Sequence, residues 1–165
     1  MAELEDAPAI AAVLREAFAE YRPLYTQEAY AATTPTGEQI ECRMQEGPVW
    51  VATKAGTIVG TVAAVHRGQD LYVRGMGVLS TARGLGIGEL LLETVRSAGM
   101  AAGHRRLILS TTPFLARAIR LYERYGFIRS EEGPHELFGT PLFTMSKRLE
   151  SEHSDTSAAV QPGSD

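Results

Sequence analysis

Three glycines at alternate positions, directly before a segment of helical periodicity, constrain this chain more than any other feature. They are Gly84, Gly86 and Gly88 in STARGLGIGELL, residues 80–91. A glycine inside a helix costs about 1 kcal/mol relative to alanine, so their presence needs a reason. A helix N-terminus exposes unpaired N–H groups, and glycines let an anion approach them without meeting a Cβ atom. With the fixed charge of Arg83 beside it, the segment predicts a phosphate or pyrophosphate loop.

The spacing of these glycines excludes two common phosphate loops. A Walker A loop needs a lysine after its last glycine, whereas Glu89 follows Gly88 here. A dinucleotide fingerprint needs Gly-x-Gly-x-x-Gly, and the third glycine comes one residue early. That fingerprint also requires an acidic residue at the end of the next strand, which here ends in Ser110 and Thr111. A tight strand-to-helix turn, with glycines that only ease packing, stays open as an alternative.

Apolar periodicity predicts four helices and six strands in one mixed α/β domain over residues 1–150. The helices run from the Asp6 cap to Tyr21, from the Thr36–Gln39 capping box to Gly47, from Ile87 to Gly103, and from the Thr112–Pro113 cap to Gly126. The strands are VWVAT, TIVGTVAAVH, LYVRGMGVL, RRLILST, FIRSE and LFTMSKRL. This order does not suit a doubly wound nucleotide fold. Residues 151–165 lack periodicity and large apolar side chains, which predicts a disordered tail.

Composition limits the class of protein further. The formal net charge of −4 gives no general reason to bind nucleic acid or a membrane surface. Cys42 is the single cysteine, which excludes an internal disulfide and a cysteine-rich zinc site, and we predict no metal. The N-terminal segment has no basic region followed by an apolar one, and no stretch approaches 18 apolar residues. We therefore expect a soluble, cytoplasmic protein.

Two motifs resemble those of the GNAT acetyltransferase superfamily. ARGLGIGELLLETV is similar to the family's pyrophosphate loop, Arg/Gln-x-x-Gly-x-Gly/Ala, and ARAIRLYERYGF is similar to its second signature, Ala-x-x-Leu-Tyr-x-x-x-Gly-Phe. The resemblance covers roughly residues 4–149. It implies a central, mostly antiparallel twisted sheet that is splayed in the middle, with helices on both faces. It also implies acetyl-CoA as co-substrate and an amine as acceptor.

The resemblance assigns residues to acetyl-CoA. Gly75 and Gly77 interrupt an otherwise regular strand, where the family has a bulge that opens the sheet for the pantetheine arm. The alternative explanation is that these two glycines only allow the strand to pack closely against its neighbours. The residues assigned to acetyl-CoA are Met76, Val78, Arg83, Gly84, Leu85, Gly86, Ile87, Gly88 and Ala118.

Acetyl transfer to an amine needs a proton for the departing thiolate. Tyr122 matches the tyrosine that the family places beside the sulfur, and a phenol is protonated at neutral pH. Tyr122 also continues the apolar stripe of its helix, so it could only pack. In that case the chain would be a non-catalytic acyl-CoA-binding module. A general base is not assigned; the carboxylates and imidazole considered are Glu20, Glu28, His66 and Asp70.

The acceptor should contact the first two helices, their connection, and the loop EEGPHELFGTP. The candidate contacts are Tyr21, Tyr25, Tyr30, Glu131, Glu132 and His135. Two acidic residues beside the site would favour a cationic amine. Two departures from the family pattern stand out: Leu115 occupies the slot of a frequent asparagine, and only MAELE precedes Asp6 where a strand is usual. A homodimer stays open, because closing strands such as LFTMSKRL can pair across subunits.

Overall fold

The computed structural model describes residues 1–149, so the predicted tail at 151–165 lies outside the described residues. The helices are α1 (Ala7–Phe18), α2 (Gln27–Thr33), α3 (Gly37–Glu46), α4 (Ile87–Ala101) and α5 (Ala116–Tyr125). The strands are β1 (Val49–Lys54), β2 (Thr57–Arg67), β3 (Asp70–Val78), β4 (Arg106–Thr111), β5 (Ile128–Ser130), β6 (Glu136–Leu137), β7 (Thr140–Pro141) and β8 (Phe143–Arg148).

One six-stranded sheet in the order β1-β2-β3-β4-β8-β5 organises the domain. Only β3 and β4 pair in parallel, and the other pairs are antiparallel. On one face, α1 and α3 bury Ile10, Leu14 and Ile40 against β1 and β2. On the other face, α4 and α5 pack over the central strands around Leu92 and Leu107. The predicted mixed α/β fold, with helices on both faces of a mostly antiparallel sheet, is confirmed.

A bulge in β3 opens the middle of this sheet. Val62 of β2 faces two residues of β3, Gly75 and Met76, where the register shifts. Gly75 takes a φ of +58°, a left-handed conformation that favours glycine. On its other edge, β3 pairs with β4 only over residues 70–72. The two strands therefore diverge after Tyr72, as the predicted splayed sheet requires.

One predicted helix start is confirmed in position and another is displaced. Asp6 is the N-cap residue of α1, but its carboxylate does not cap the helix: it accepts the N–H of Glu3 at 2.8 Å within a 3₁₀ turn, Leu4–Asp6. The predicted Thr112–Pro113 start is displaced, because α5 begins at Ala116. Residues 112–115 form a turn in which Leu115 N–H donates to Thr112 O. The Phe114 ring packs edge-on against Tyr25, 4.8 Å between centroids, and this tertiary contact favours the turn over another helical turn.

Three elements were not predicted. The connection between the first two predicted helices contains a 3₁₀ segment, Ala19–Leu24, and the short helix α2. The loop EEGPHELFGTP contains the small hairpin β6–β7. Thr26 joins these elements, because its N–H donates to Thr140 Oγ1 (3.0 Å) and its hydroxyl donates to Phe138 O (2.9 Å). Each element is too short for a clear periodic signal, so contacts distant in sequence stabilise it.

The two ends of the sheet concern the first strand that the family usually has and the strand that could pair across subunits. Before α1, a single contact continues the sheet: Ala2 N–H donates to Val49 O at 2.8 Å, beside β1. At the other end, β8 lies between β4 and β5. The strand LFTMSKRL is therefore paired on both sides over residues 144–146, and the edges of the sheet are β1 and β5.

Candidate active site

The three glycines of the loop have two different roles. Gly84 and Gly86 take φ values of +80° and +75°, and a Cβ atom on either would meet no atom within 4 Å. Gly86 caps α4, whose first N–H groups therefore face open space. At Gly88, by contrast, a Cβ atom would lie 2.7 Å from Leu121 Cδ2, so this glycine allows α4 to approach α5 closely. Gly84 and Gly86 thus serve the turn that leads to the first amides of α4, whereas Gly88 serves the packing of α4 against α5.

A cleft of about 500 Å³ lies in front of this loop, between α1, β3 and α5. Four arginines line it: Arg83, Arg117, Arg120 and Arg124. Glu20 lies 3.3 Å from Arg83 and 3.8 Å from Arg117, and Glu89 lies 3.9 Å from Arg124. Exposed ion pairs of this length are weak and exchange readily for a stronger anion. The cleft therefore combines exposed helix amides with cationic side chains, which suits a ligand with several phosphates.

The gap in the sheet opens into the same cleft. Leu79 N–H donates to Val59 O on β2 at 2.8 Å. Because successive N–H groups of a strand point to opposite edges, the N–H of Val78 points away from β2 and into the gap. Gly77 is a packing glycine rather than part of the bulge, since a Cβ atom there would lie 3.1 Å from Leu14 Cδ2. Main-chain groups at the end of β3 are thus free to bind an extended ligand.

A second cavity of about 440 Å³ lies on the other side of the β3 bulge. Its walls come from α2, α3, the ends of β2 and β4, and the β6–β7 segment. The residues that line both the cleft and this cavity are Phe18, Met76, Leu115 and Tyr122. The two spaces are therefore adjacent, and these four shared residues form the junction between them. Below we call them the cleft and the second cavity.

Tyr122 is the titratable side chain at this junction. Burial, with a smaller contribution from Tyr25, raises the pKa of its phenol to about 12. Its residue is 9% exposed, and its ring packs against Phe127 with 5.8 Å between centroids. The phenol therefore stays protonated throughout the neutral range and can donate a hydrogen bond to a negatively charged atom.

Comparison with known proteins identifies the family. The model of the acetyltransferase (GNAT) family matches residues 10–127. The chain belongs to the GNAT acetyltransferase family. The uncharacterized N-acetyltransferase YjgM of Escherichia coli K12 is 32% identical over 130 residues, which cover 75% of this chain and 77% of that protein. The present chain is therefore an acetyl-CoA-dependent acyltransferase, with acetyl-CoA as its co-substrate.

Solved structures of this fold include complexes with the co-substrate. The paia N-acetyltransferase of Thermoplasma acidophilum, solved with coenzyme A, superposes with a TM-score of 0.76 at 16% identity, over 89% of this chain and 95% of that one. The yncA protein of Salmonella typhimurium, solved with acetyl-CoA, gives 0.70 at 19% identity, over 94% and 95%. Both likenesses concern the fold. Among residues 1–149, no helix is long and apolar enough to cross a membrane.

The structure brings most of the predicted cofactor residues together. Those that line the cleft are Met76, Val78, Arg83, Gly84, Gly86, Ile87, Gly88 and Ala118. Leu85 does not line it, because its side chain is 54% exposed at the tip of the loop. Tyr21 lies in the cleft and Tyr25 in the second cavity, so these two acceptor candidates are divided between the two spaces.

The other acceptor and base candidates lie away from the junction. His135 lines neither space, although its neighbours Pro134 and Glu136 line the second cavity. Glu132 and Asp70 both bind Arg106, at 3.0 Å and 2.8 Å. Asp70 and Arg106 are the first residues of β3 and β4, at the end of these strands away from the bulge. The expected acidic acceptor site therefore does not form around Glu132. His66 is also engaged elsewhere, because its Nδ1 lies 2.6 Å from Nε2 of His104.

Sequence reasoning missed the charged lining of the second cavity. Its arginines are Arg43, Arg67 and Arg74. They come from α3, β2 and β3, and each occurs singly among residues with no motif of its own. No local signal could have found them, because only the tertiary fold brings their guanidinium groups to one space.

Proposed function

We propose that this GNAT acetyltransferase is an N-acetyltransferase that acetylates an amine directly, with Tyr122 as the proton donor to the leaving thiolate. The observation that carries the proposal is the position of Tyr122, which lines both the cleft and the second cavity. Acetyl-CoA would occupy the cleft and the amine would enter from the second cavity. The thioester and the nucleophile would then meet beside the phenol.

The binding of acetyl-CoA is assigned to backbone and cationic groups of the cleft. The amides at the start of α4, with Arg83, would hold the pyrophosphate. The pantetheine arm would pair with the main chain of Met76 and Val78 in the gap beside β3. The N–H of Val78 points toward the place where the thioester carbonyl would lie, so it would stabilise the oxyanion as charge develops there.

The reaction itself forms one bond and breaks another. The nitrogen lone pair of the neutral amine attacks the carbonyl carbon and forms the C–N bond, and the C–S bond then breaks. The nitrogen must lose one proton and the sulfur must gain one, because the products are an amide and a thiol. A phenol with a pKa of about 12 does not ionise on its own near neutral pH. Tyr122 would therefore pass its proton to the sulfur as it recovers one from the nitrogen.

The test is Tyr122→Phe, with Tyr125→Phe as matched control on the same helix. Tyr125 donates to Glu93 and lies outside both the cleft and the second cavity. The kcat for a turned-over amine should fall about tenfold or more in the first variant, the size typical of a lost proton donor, while acetyl-CoA affinity is unchanged. The control should stay within about twofold. If Tyr122→Phe keeps full turnover, the proton comes from another group, such as water.

Three further expectations belong with this proposal. We propose that residues 1–150 form one functional domain, as the single sheet with its two helical faces supports. A cytoplasmic location and a homodimer stay predictions, to be measured by fractionation and by analytical ultracentrifugation. If a dimer forms through strand pairing, it would use the edge strands β1 or β5 rather than β8.

A further inference from the structure

We propose that the second cavity selects an amine that also carries a carboxylate, and that Arg43 is the residue that binds this carboxylate. The inference rests on the proposed function, since it takes the second cavity as the acceptor site. It assigns a substrate class, a small amino acid or a similar zwitterionic amine, and a specificity residue. It also differs from the cationic amine that two acidic residues beside the site would have favoured.

Arg43 is the first observation. Its guanidinium reaches from α3 to the β3 bulge, where Nη1 would lie 3.4 Å from a Cβ atom on Gly75. Its Nη2 donates a hydrogen bond to the main-chain Ala32 O at 3.0 Å. Burial, then repulsion from Arg74, lowers the pKa of Arg43. A half-buried guanidinium beside another cation, with a neutral carbonyl as its hydrogen-bond acceptor, is a favourable place for an anion.

The neighbouring arginines enlarge this positive region. The Arg67 guanidinium stacks on the Tyr72 ring, 4.0 Å from its centroid, which fixes its position at the cavity wall. Arg74 binds Glu46 through Nη2, while its buried Nε has no hydrogen-bond partner among the described residues. Glu46 therefore balances part of the charge of Arg74 and Arg43, although its own carboxylate does not line the cavity.

Acidic groups balance this positive charge only in part. Within residues 1–149, Glu136 is the one carboxylate that lines the second cavity, against three arginines. Glu136 lies on the β6–β7 hairpin and its side chain is exposed. The cavity thus keeps a net positive lining that an anionic group of the acceptor can neutralise, while Glu136 remains available to attract the ammonium group before it loses its proton.

Two buried hydroxyl groups that have no partner within residues 1–149 belong to residues that line the second cavity. Ser110 Oγ and Thr111 Oγ1, at the end of β4, are buried and have no hydrogen-bond partner in the described part of the chain. Both residues line the second cavity. A guanidinium presents two parallel N–H groups to the two oxygens of a carboxylate. Apolar side chains such as Val73, Leu109 and Leu142 form other parts of the wall, which suits a small carboxylate better than a highly charged phosphate ester.

The test compares matched acceptors on full-length protein. Each of a set of α-amino acids is assayed with acetyl-CoA beside its carboxamide and the corresponding decarboxylated amine, and a phosphorylated amine, phosphoethanolamine, serves as a separate arm. Product is detected by mass rather than by a thiol reagent, because Cys42 is exposed. The variants are Arg43→Gln, Arg43→Lys and a matched control, Arg15→Gln. Arg15 is exposed on α1 and lines neither the cleft nor the second cavity.

For wild type we expect the preferred acid to have a kcat/KM about tenfold or more above that of its carboxamide and its decarboxylated amine. Arg43→Gln should remove this preference by lowering the value for the acid alone. Arg43→Lys should restore part of it, since the charge returns without the paired donors. Arg15→Gln should leave the preference unchanged. Equal rates for acids and carboxamides in wild type, a loss in Arg43→Gln that is equal for both, or a preference for phosphoethanolamine would each overturn the proposal.

A binding measurement separates this inference from the proposed function. With saturating coenzyme A, the thermal midpoint is followed as the same acids and carboxamides are added, a readout that needs no turnover. Acids that raise the midpoint of wild type but not of Arg43→Gln support the carboxylate site even if no amine is acetylated, in which case only the proposed function fails. Amine acetylation without any difference between acids and carboxamides leaves the proposed function standing and overturns the inference. If the acids neither shift the midpoint nor react, the carboxylate site is absent.

Discussion

The cleft and the second cavity are similar in size and both are lined by arginines, yet they are built in different ways. The cleft is lined by the glycine loop at the start of α4, within residues 83–89, together with residues of α1, β3 and α5. The second cavity takes its polar groups from side chains of α2, α3, β2, β3, β4 and the β6–β7 segment. Backbone groups at a fixed turn recognise a constant ligand, whereas dispersed side chains can change one at a time. The division matches a co-substrate common to the family and an acceptor particular to this chain.

The largest effect should come from Gly86→Ala, a substitution that alters the cleft and leaves the second cavity unchanged. Gly86 has a φ of +75°, and its Cβ position faces the open space where the pyrophosphate would lie. We expect the Kd for acetyl-CoA to rise about tenfold or more, a loss of about 1.4 kcal/mol. The KM for the acceptor should change by less than about twofold. Calorimetric titration with coenzyme A and steady-state kinetics measure the two quantities.

Gly103→Ala is the matched control for this variant. Gly103 has a φ of +78°, near that of Gly86, and its Cβ position is equally open, but it lies at the other end of α4. Both variants should lose about 1–2 kcal/mol of folding free energy from the left-handed conformation. If the two variants bind coenzyme A equally well, the loop glycines only form a turn.

An intermediate effect should come from Thr26→Val, which loosens the second cavity alone. The substitution removes the N-cap hydroxyl of α2 and its hydrogen bond to Phe138 O, so that α2 and the β6–β7 hairpin separate more easily. We expect the acceptor KM to rise about fivefold with the acetyl-CoA Kd unchanged, and stability to fall by about 1 kcal/mol. Denaturant unfolding and kinetics check both numbers.

Thr94→Val provides the comparison for the loss of a hydroxyl. Thr94 Oγ1 donates to Leu90 O at 2.9 Å on the exposed side of α4, away from both the cleft and the second cavity. Its acceptor KM should equal that of wild type. An equal rise in both variants would mean that general destabilisation, rather than the wall formed by α2 and the hairpin, controls acceptor binding.

The smallest effect is expected at the junction, where the contribution of Tyr122 to kcat should not change with pH. In the proposed mechanism the protonated phenol of Tyr122 is the active form, and its raised pKa of about 12 extends that form to higher pH. At pH 10 it would still be about 99% protonated, whereas an ordinary tyrosine would be half ionised. The ratio of kcat between wild type and Tyr122→Phe should therefore stay constant from pH 7 to about pH 10. If this kcat ratio falls toward one above pH 9, the Tyr122 phenol has an ordinary pKa and is exposed to water at the junction.

Sequence reasoning predicted the regular elements and the cleft well, for a local reason. Helices such as α4 and strands such as β2 are long enough for apolar periodicity to be visible, and the glycine loop is contiguous. The errors fall at short segments whose conformation depends on distant partners. Thr112 fails as a helix cap because Phe114 packs on Tyr25, and α2 was missed although Thr26 caps it, because its seven residues show little periodicity.

The sequence by itself determined the family, the fold and the loop that we propose for the co-substrate, because each depends on residues that are close together in the chain. Only the tertiary structure decided which glycines serve the turn and which serve packing, since Gly88 and Gly77 are explained by Leu121 and Leu14 on other helices. The tertiary structure alone also brought the cavity arginines to one wall while Arg106 engages Glu132 elsewhere. Charges distant in sequence form a site only where packing places them, and no local pattern encodes that meeting.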